Sequence, residues 1–313
     1  MIQTSAPGSL MITGEHAVLH GAHALVGAVD ARVRVTLDPR PDRTVVIRSA
    51  LGTRRMPLAE PDLSPPFQFV SHAITMFAAA CPSGFELSIR ADMRADTGLG
   101  SSAAVTVAAL AALHVFCHHT LPPSSADLHR QALDIVRRVQ GAASGADLAA
   151  AVWGGVLLYR QTPEVVRRHD SFPPVTLAYA GYKTATAEVI RQVETRRAAA
   201  DDGFRDLYAR MDACSLEASR AFAATDWRHL ADTLSNGQRL MEELGVCDQT
   251  LAAMISRFRE QPGIAAAKIS GSGMGDCVLA IGSMPDESAF PYTRIPAQFS
   301  AQGVMLESVC ISD

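Results

Sequence analysis

The segment that most constrains this chain is GLGSSAA, Gly98 to Ala104. Before it, Phe85, Leu87 and Ile89 alternate with Glu86, Ser88 and Arg90, the period-2 pattern of a half-buried strand. After it, residues 103 to 116 form an almost unbroken apolar run, which reads as a core helix. A strand that enters a glycine turn and leaves as a helix aims backbone N–H groups and the positive end of the helix dipole at one point. That is a phosphate cradle. Ser101 is expected as the helix N-cap and Ser102 as a hydroxyl ligand to a magnesium ion bridging phosphates. No GK[ST] follows, so the loop is not of the Walker type. The plainer alternative is a capped helix after a flexible turn.

Around this junction the texture is mixed α+β. Residues 31 to 37 and 44 to 48 alternate as strands, Pro57 to Pro66 interrupt them, and 67 to 80 and 125 to 140 carry helical spacing, the latter stopping at Gly141. Pro173 and Pro174 precede a strand at 175 to 179 and mark the expected division into domains at 1–172 and 173–313. From 187 to 261 there is no proline and the spacing predicts several successive helices, before a glycine-rich turn and strand over 268 to 281.

The charge balance limits the partners. A net charge of −4, with no block of lysine and arginine, argues against nucleic acid and anionic membranes and favours a small-molecule partner. The run 103 to 116 is short for a bilayer, and the first residues lack a basic-then-apolar leader, so a soluble, cytoplasmic protein is expected. The 6 cysteines are scattered without a CxxC, which fits reduced thiols and predicts neither a disulfide nor a zinc site.

Three other segments carry chemistry. Gly271, Gly273 and Gly275 in KISGSGMGDCVLAI are followed by a strand, not a helix, which excludes a dinucleotide fingerprint; they read as a tight turn or as a second backbone wall of the same site. In PGSLMITGEHAVLHG, residues 7 to 21, Glu15 and His16 interrupt apolar surroundings and must find partners or line a cavity. Ser144-Gly145-Ala146-Asp147 reads either as a capping box or as the carrier of a carboxylate base, and both readings are compatible.

Taken in order, PGSLMITGEHAVLHG, GLGSSAAVTVAALAAL and KISGSGMGDC resemble the three signature motifs of the GHMP kinases, the family of galactokinase, homoserine kinase, mevalonate kinase and phosphomevalonate kinase. The GEHAV form of the first motif is most like the mevalonate kinases. SGADLAAAVWGG at 144 to 155 and NGQRLMEELGV at 236 to 246 extend the resemblance from Pro7 to Cys277. It implies an N-terminal domain like domain 2 of ribosomal protein S5 and a ferredoxin-like C-terminal domain, with ATP and an acceptor alcohol meeting between them. It also places Gly98, Leu99, Gly100, Ser101, Ser102 and Ala103 around the ATP phosphates, Mg²⁺ at Ser102, and Asp147 as base. Glu15, His16, Thr186, Gly271 and Ser272 fall at the substrate, and a homodimer is suggested.

Two positions depart from the family pattern. The lysine of the usual PGK is Ser9, and the magnesium-binding glutamate is Val136. With Lys183 and Lys268 the only lysines, a replacement cation must be one of these, an arginine, or nothing, and Lys183, just before Thr186, is the preferred catalytic substitute. Asp134 is off the helical phase of Val136, which leaves Glu15 as the better magnesium contact. Gln140 stands where the family has a histidine, and can still meet a hydroxyl or carboxylate. The expected reaction is ATP-dependent phosphorylation of the 5-hydroxyl of mevalonate. The alternatives are a GHMP kinase for phosphomevalonate or another small alcohol, and a catalytically silent ligand-binding relative.

Overall fold

A computed structural model describes residues 1–93, 97–199, 201–284 and 290–310. The first half gives strands β1 (Ile2–Thr13), β2 (Ala24–Arg40), β3 (Thr44–Ser49) and β4 (Gly52–Pro57), helix α1 (Gln68–Phe77) and strand β5 (Gly84–Ala91). Helices α2 (Ser101–His118), α3 (Ser125–Gln140) and α4 (Ala146–Trp153) follow, then strands β6 (Val156–Arg160) and β7 (Val165–His169). Next come β8 (Val175–Lys183) and four helices, α5 (Thr186–Ala199), α6 (Asp201–Ala224), α7 (Trp227–Glu243) and α8 (Gln249–Arg259). Strands β9 (Ile264–Ser270), β10 (Gly275–Gly282), β11 (Thr293–Ile295) and β12 (Met305–Val309) complete the order.

These strands form two sheets. The larger runs β12-β1-β2-β5-β3-β4, with β6 and β7 added beside β2; the smaller runs β11-β8-β10-β9 and is antiparallel throughout. Numbered from β8, the smaller sheet has the 4-1-3-2 order of a ferredoxin-like fold. Its first crossover holds all four of α5 to α8.

Alternation did not reveal β1, and burial explains why. Nearly all of its residues are buried, including Thr4 and Ser5, so no polar face marks the period. The hydroxyls are satisfied internally: Thr4 Oγ1 donates to the Ala108 carbonyl of α2 at 2.8 Å, and Ser5 Oγ accepts from Arg32 Nε at 2.9 Å.

Helix α2 is the hub of the first core. It spans 18 residues, longer than the apolar run, and on length and composition alone it could cross a membrane. Yet 72% of it is buried in protein, against α1, α3, α4 and the large sheet. Its alanines bring neighbouring backbones close, and a helix apolar all round belongs in a core. At its far end the thiols of Cys117 and Cys81 lie 3.2 Å apart, a pairing that their separation in sequence did not suggest.

The change of sheet falls between His169 and Val175, but the C-terminal segment does not stay with the second sheet. Ser300 N donates to the Ala28 carbonyl at 2.9 Å, and β12 pairs antiparallel with β1 from Ile2↔Val309 to Ser5↔Met305. A division drawn at 172/173 therefore leaves this returning segment on the first sheet.

Candidate active site

Between the two sheets lies a cavity of about 310 Å³, and all of the expected site residues line it. Gly98, Leu99, Gly100, Ser101, Ser102 and Ala103 form one wall; Gly271 and Ser272 face them; Glu15, His16, Gln140, Asp147, Lys183 and Thr186 complete the rim and floor.

The phosphate loop is shaped by its glycines. Gly98 and Gly100 have φ of 64° and 63°, the left-handed region that disfavours a side chain, and a Cβ at Gly100 would lie 1.9 Å from Ser9 Oγ. The N-cap of α2 is Gly100, not Ser101 as its residue type suggested, and glycine itself offers no side-chain cap. Ser101 is instead the first helical residue, because the left-handed step needed at the cap belongs to glycine. A helix start with a glycine cap facing a cavity is a ready anion site.

The opposite wall is the turn between β9 and β10. Both readings of its glycines hold, since it is a tight turn and also lines the cavity. His16 holds it from below: its Nε2 donates to the Ser272 carbonyl at 2.8 Å, and burial keeps the imidazole pKa below its ordinary value. A neutral ring that donates from Nε2 keeps Nδ1 as an acceptor. The Ser272 hydroxyl is buried and has no partner among the described residues.

Asp147 sits in the first turn of α4. Here too the cap is a glycine, Gly145 with φ 85°, so the Ser144–Asp147 capping box does not form. Ser144 Oγ instead accepts from Ala146 N at 3.3 Å, and its carbonyl accepts from Tyr159 Oη at 2.8 Å. The Asp147 carboxylate is thereby left for the cavity, where Oδ1 accepts from Ser9 Oγ at 2.7 Å. Asp147 is exposed to the cavity, and desolvation pushes its pKa up against the opposing Ser9 hydrogen bond and Lys183 charge.

The two lysines behave differently. Lys183 Nζ is 3.0 Å from Asp276 Oδ2 at the cavity edge, near enough to Asp147 to pull on its carboxyl. Lys268 lies beneath the floor and donates to Glu15 Oε1 at 2.5 Å and to the Ile269 carbonyl. Glu15 is therefore the counter-ion of a buried lysine. Its expected part as a magnesium contact does not fit, because the carboxylate is already engaged and only 3% exposed. Val136 does face the cavity, while Asp134 is exposed elsewhere, as helical phase requires.

Asp276 escaped the sequence reading. It sits inside the third glycine segment, and an acidic side chain amid GSGMGDC was the available signal.

Family models match both halves of this chain: the GHMP kinases N terminal domain over residues 68–155 and the GHMP kinases C terminal domain over 218–300. The chain belongs to the GHMP kinases. Among curated GHMP kinases, the mevalonate kinase of Aeropyrum pernix is 31% identical over 287 residues, covering 89% of this chain and 88% of that protein. That of Archaeoglobus fulgidus is 31% identical over 278 residues, covering 88% and 91%. The solved Methanococcus jannaschii mevalonate kinase has the same fold, with a TM-score of 0.80 at 18% identity over 95% of this chain and 98% of that one.

GHMP kinases use ATP with Mg²⁺, and the residues present fit a metal that arrives with the nucleotide. Among the described residues no three His, Cys, Asp or Glu side chains cluster as a cation cage. Magnesium commonly keeps its waters and takes substrate phosphates, needing few protein ligands. The Ser102 hydroxyl, on the wall beside the α2 N-terminus, is a neutral donor of that kind.

Proposed function

We propose that this GHMP kinase transfers the γ-phosphoryl group of ATP to the 5-hydroxyl of mevalonate. The observation that carries the proposal is the meeting, in one cavity, of the glycine-capped start of α2 with the Ser9-bound carboxylate of Asp147. The first binds triphosphate; the second accepts a proton. Supporting the acceptor are the curated relatives named mevalonate kinase and the character of the lining. A phosphorylated acceptor calls for bidentate arginines, and no arginine is among the described lining residues. Arg90 is exposed on β5, Arg191 pairs with Glu188 on α5, and Arg94 lies outside the described residues.

In this reading Asp147 takes the hydroxyl proton as the substrate oxygen attacks the γ-phosphorus. The new O–P bond forms as the bond to the β-phosphate oxygen breaks, and ADP leaves. The loop amides of Gly98 to Ser102 and the α2 dipole hold the phosphates, and Lys183 faces the charge that develops there. Magnesium would be held through the Ser102 hydroxyl and would supply charge neutralisation. His16, Gln140, Thr186 and Ser272 offer hydroxyl and carboxylate partners for the acceptor, and Glu15 fixes the floor through Lys268. Desolvation raises the pKa of Asp147, which makes it a better base near neutral pH than an ordinary carboxylate.

The test is ADP release with Mg²⁺ and ATP against mevalonate, phosphomevalonate and a panel of sugars and amino alcohols. Turnover on mevalonate is expected, with Asp147→Asn lowering kcat by about 10³-fold while nucleotide binding stays intact. Normal turnover in that variant would remove Asp147 from the mechanism. Preference for a phosphorylated acceptor would overturn the choice of substrate.

A further inference from the structure

Asp276 is costly to keep. It is a non-glycine residue at φ 75°, its side chain is only 4% exposed, and Oδ1 is buried without a hydrogen-bond partner among the described residues. Left-handed backbone, a desolvated carboxylate and an orphan oxygen at one residue each oppose folding, and such residues gather where function requires them. Its surroundings indicate which function. The carboxylate lies against the phosphate loop so closely that a Cβ at Gly98 would come within 1.9 Å of Oδ1. The other oxygen, Oδ2, meets Lys183 Nζ at 3.0 Å. Next in sequence, Cys277 Sγ donates to the Thr97 carbonyl at 3.1 Å, tying the same turn to the residue before Gly98.

We infer that Asp276 is a positioning residue that holds the Lys183 ammonium at the phosphate loop, apart from Asp147, so that the cation missing at Ser9 is supplied from the second sheet. The inference rests on the kinase reading above. Its physical content is a competition. Lys183 has two carboxylates within electrostatic reach, Asp276 and Asp147. If it settled on Asp147, the resulting ion pair would hold the base in its ionised, weakly basic form and withdraw the cation from the phosphates. Asp276 prevents this by offering a desolvated partner, where ion pairing is stronger than at an open surface. Ser9, as a neutral donor to Asp147, then orients the base without competing for the cation.

The decisive variant is Asp276→Asn, which keeps the side-chain shape and tolerates the left-handed backbone while losing the charge. It is expected to lower kcat by at least about tenfold with a smaller change in KM for ATP. The acid limb of kcat/KM should also move to lower pH, because a freed Lys183 then stabilises ionised Asp147. Asp276→Gly removes the backbone strain as well, and should show the same kinetic defect.

A second readout needs no acceptor alcohol. Lys183 and Lys268 are the only lysines, and Lys268 is 1% exposed. Acetic anhydride labelling followed by peptide mass spectrometry therefore reports Lys183 against a protected internal reference. Release from its ion pair in Asp276→Asn should speed Lys183 acetylation several-fold. If the wild type turned over no acceptor, the kinase reading would fail while the labelling still decided the role of Asp276. Unchanged labelling, or a fall in kcat with the acid limb unmoved, would leave Asp276 a merely structural residue and overturn the inference.

Discussion

The two lysine–carboxylate pairs divide the work of the cleft between them. Lys268–Glu15 and Lys183–Asp276 both draw their lysine from the small sheet, and both help tie distant parts of the chain together. In the first pair, side-chain exposures are 1% and 3%; in the second the lysine is 30% exposed. A pair sealed on every side can only hold structure. One with an open ammonium can meet a ligand. The same chemistry thus serves as a floor bolt in one place and, in the proposed mechanism, as a reagent in the other, and water access decides which.

Breaking the floor pair should have the largest effect. Lys268→Met leaves Glu15 buried without its cation and should cost about 3–5 kcal/mol of stability, read by urea or thermal unfolding. Adding Glu15→Gln should recover much of that loss, since no charge then remains buried; failure to recover would show that Glu15 has a further partner. The cavity pair should respond in the opposite sense. Lys183→Met combined with Asp276→Asn, so that no desolvated carboxylate is left without its cation, should change unfolding by less than about 1 kcal/mol yet lower kcat by about 10–100-fold. A large stability loss there would erase the distinction between the pairs. The smallest effect sharpens it: Ser9→Ala removes a donor that favours ionised Asp147, so its pKa rises further. The acid limb of kcat/KM should then move up by about half a pH unit, checked by initial rates from pH 5 to 8.

What was legible in the sequence follows the same physical division. Gly98 to Ala103, Asp147 and Gly271 to Ser272 could be placed because each belongs to a local segment whose residue types state its backbone. Contacts made across the chain could not. Ser9 and Asp147 are 138 positions apart, and Glu15 and Lys268 are 253 apart, so the engagement of Glu15 away from magnesium had no local sign. The capping errors at Ser101 and Ser144 share one cause: residue type favours serine at a cap, but the turns before α2 and α4 require a left-handed step that glycine takes at lower cost. Strand β1 was hidden by burial and β12 by distance, because the order of pairing in a sheet is not written in either strand alone.

The pairing of β1 with β12 also sets a timetable. Ile2 to Ser5 leave the ribosome long before the strand that covers their edge, Met305 to Val309. Until that strand emerges, β1 carries Ser9 towards the cleft with one flank unprotected, and contacts between such distant residues form slowly. The sheet can close only once that distant segment has been made, so the edge of the strand that carries Ser9 to the Asp147 carboxylate stays open to other strands in the meantime.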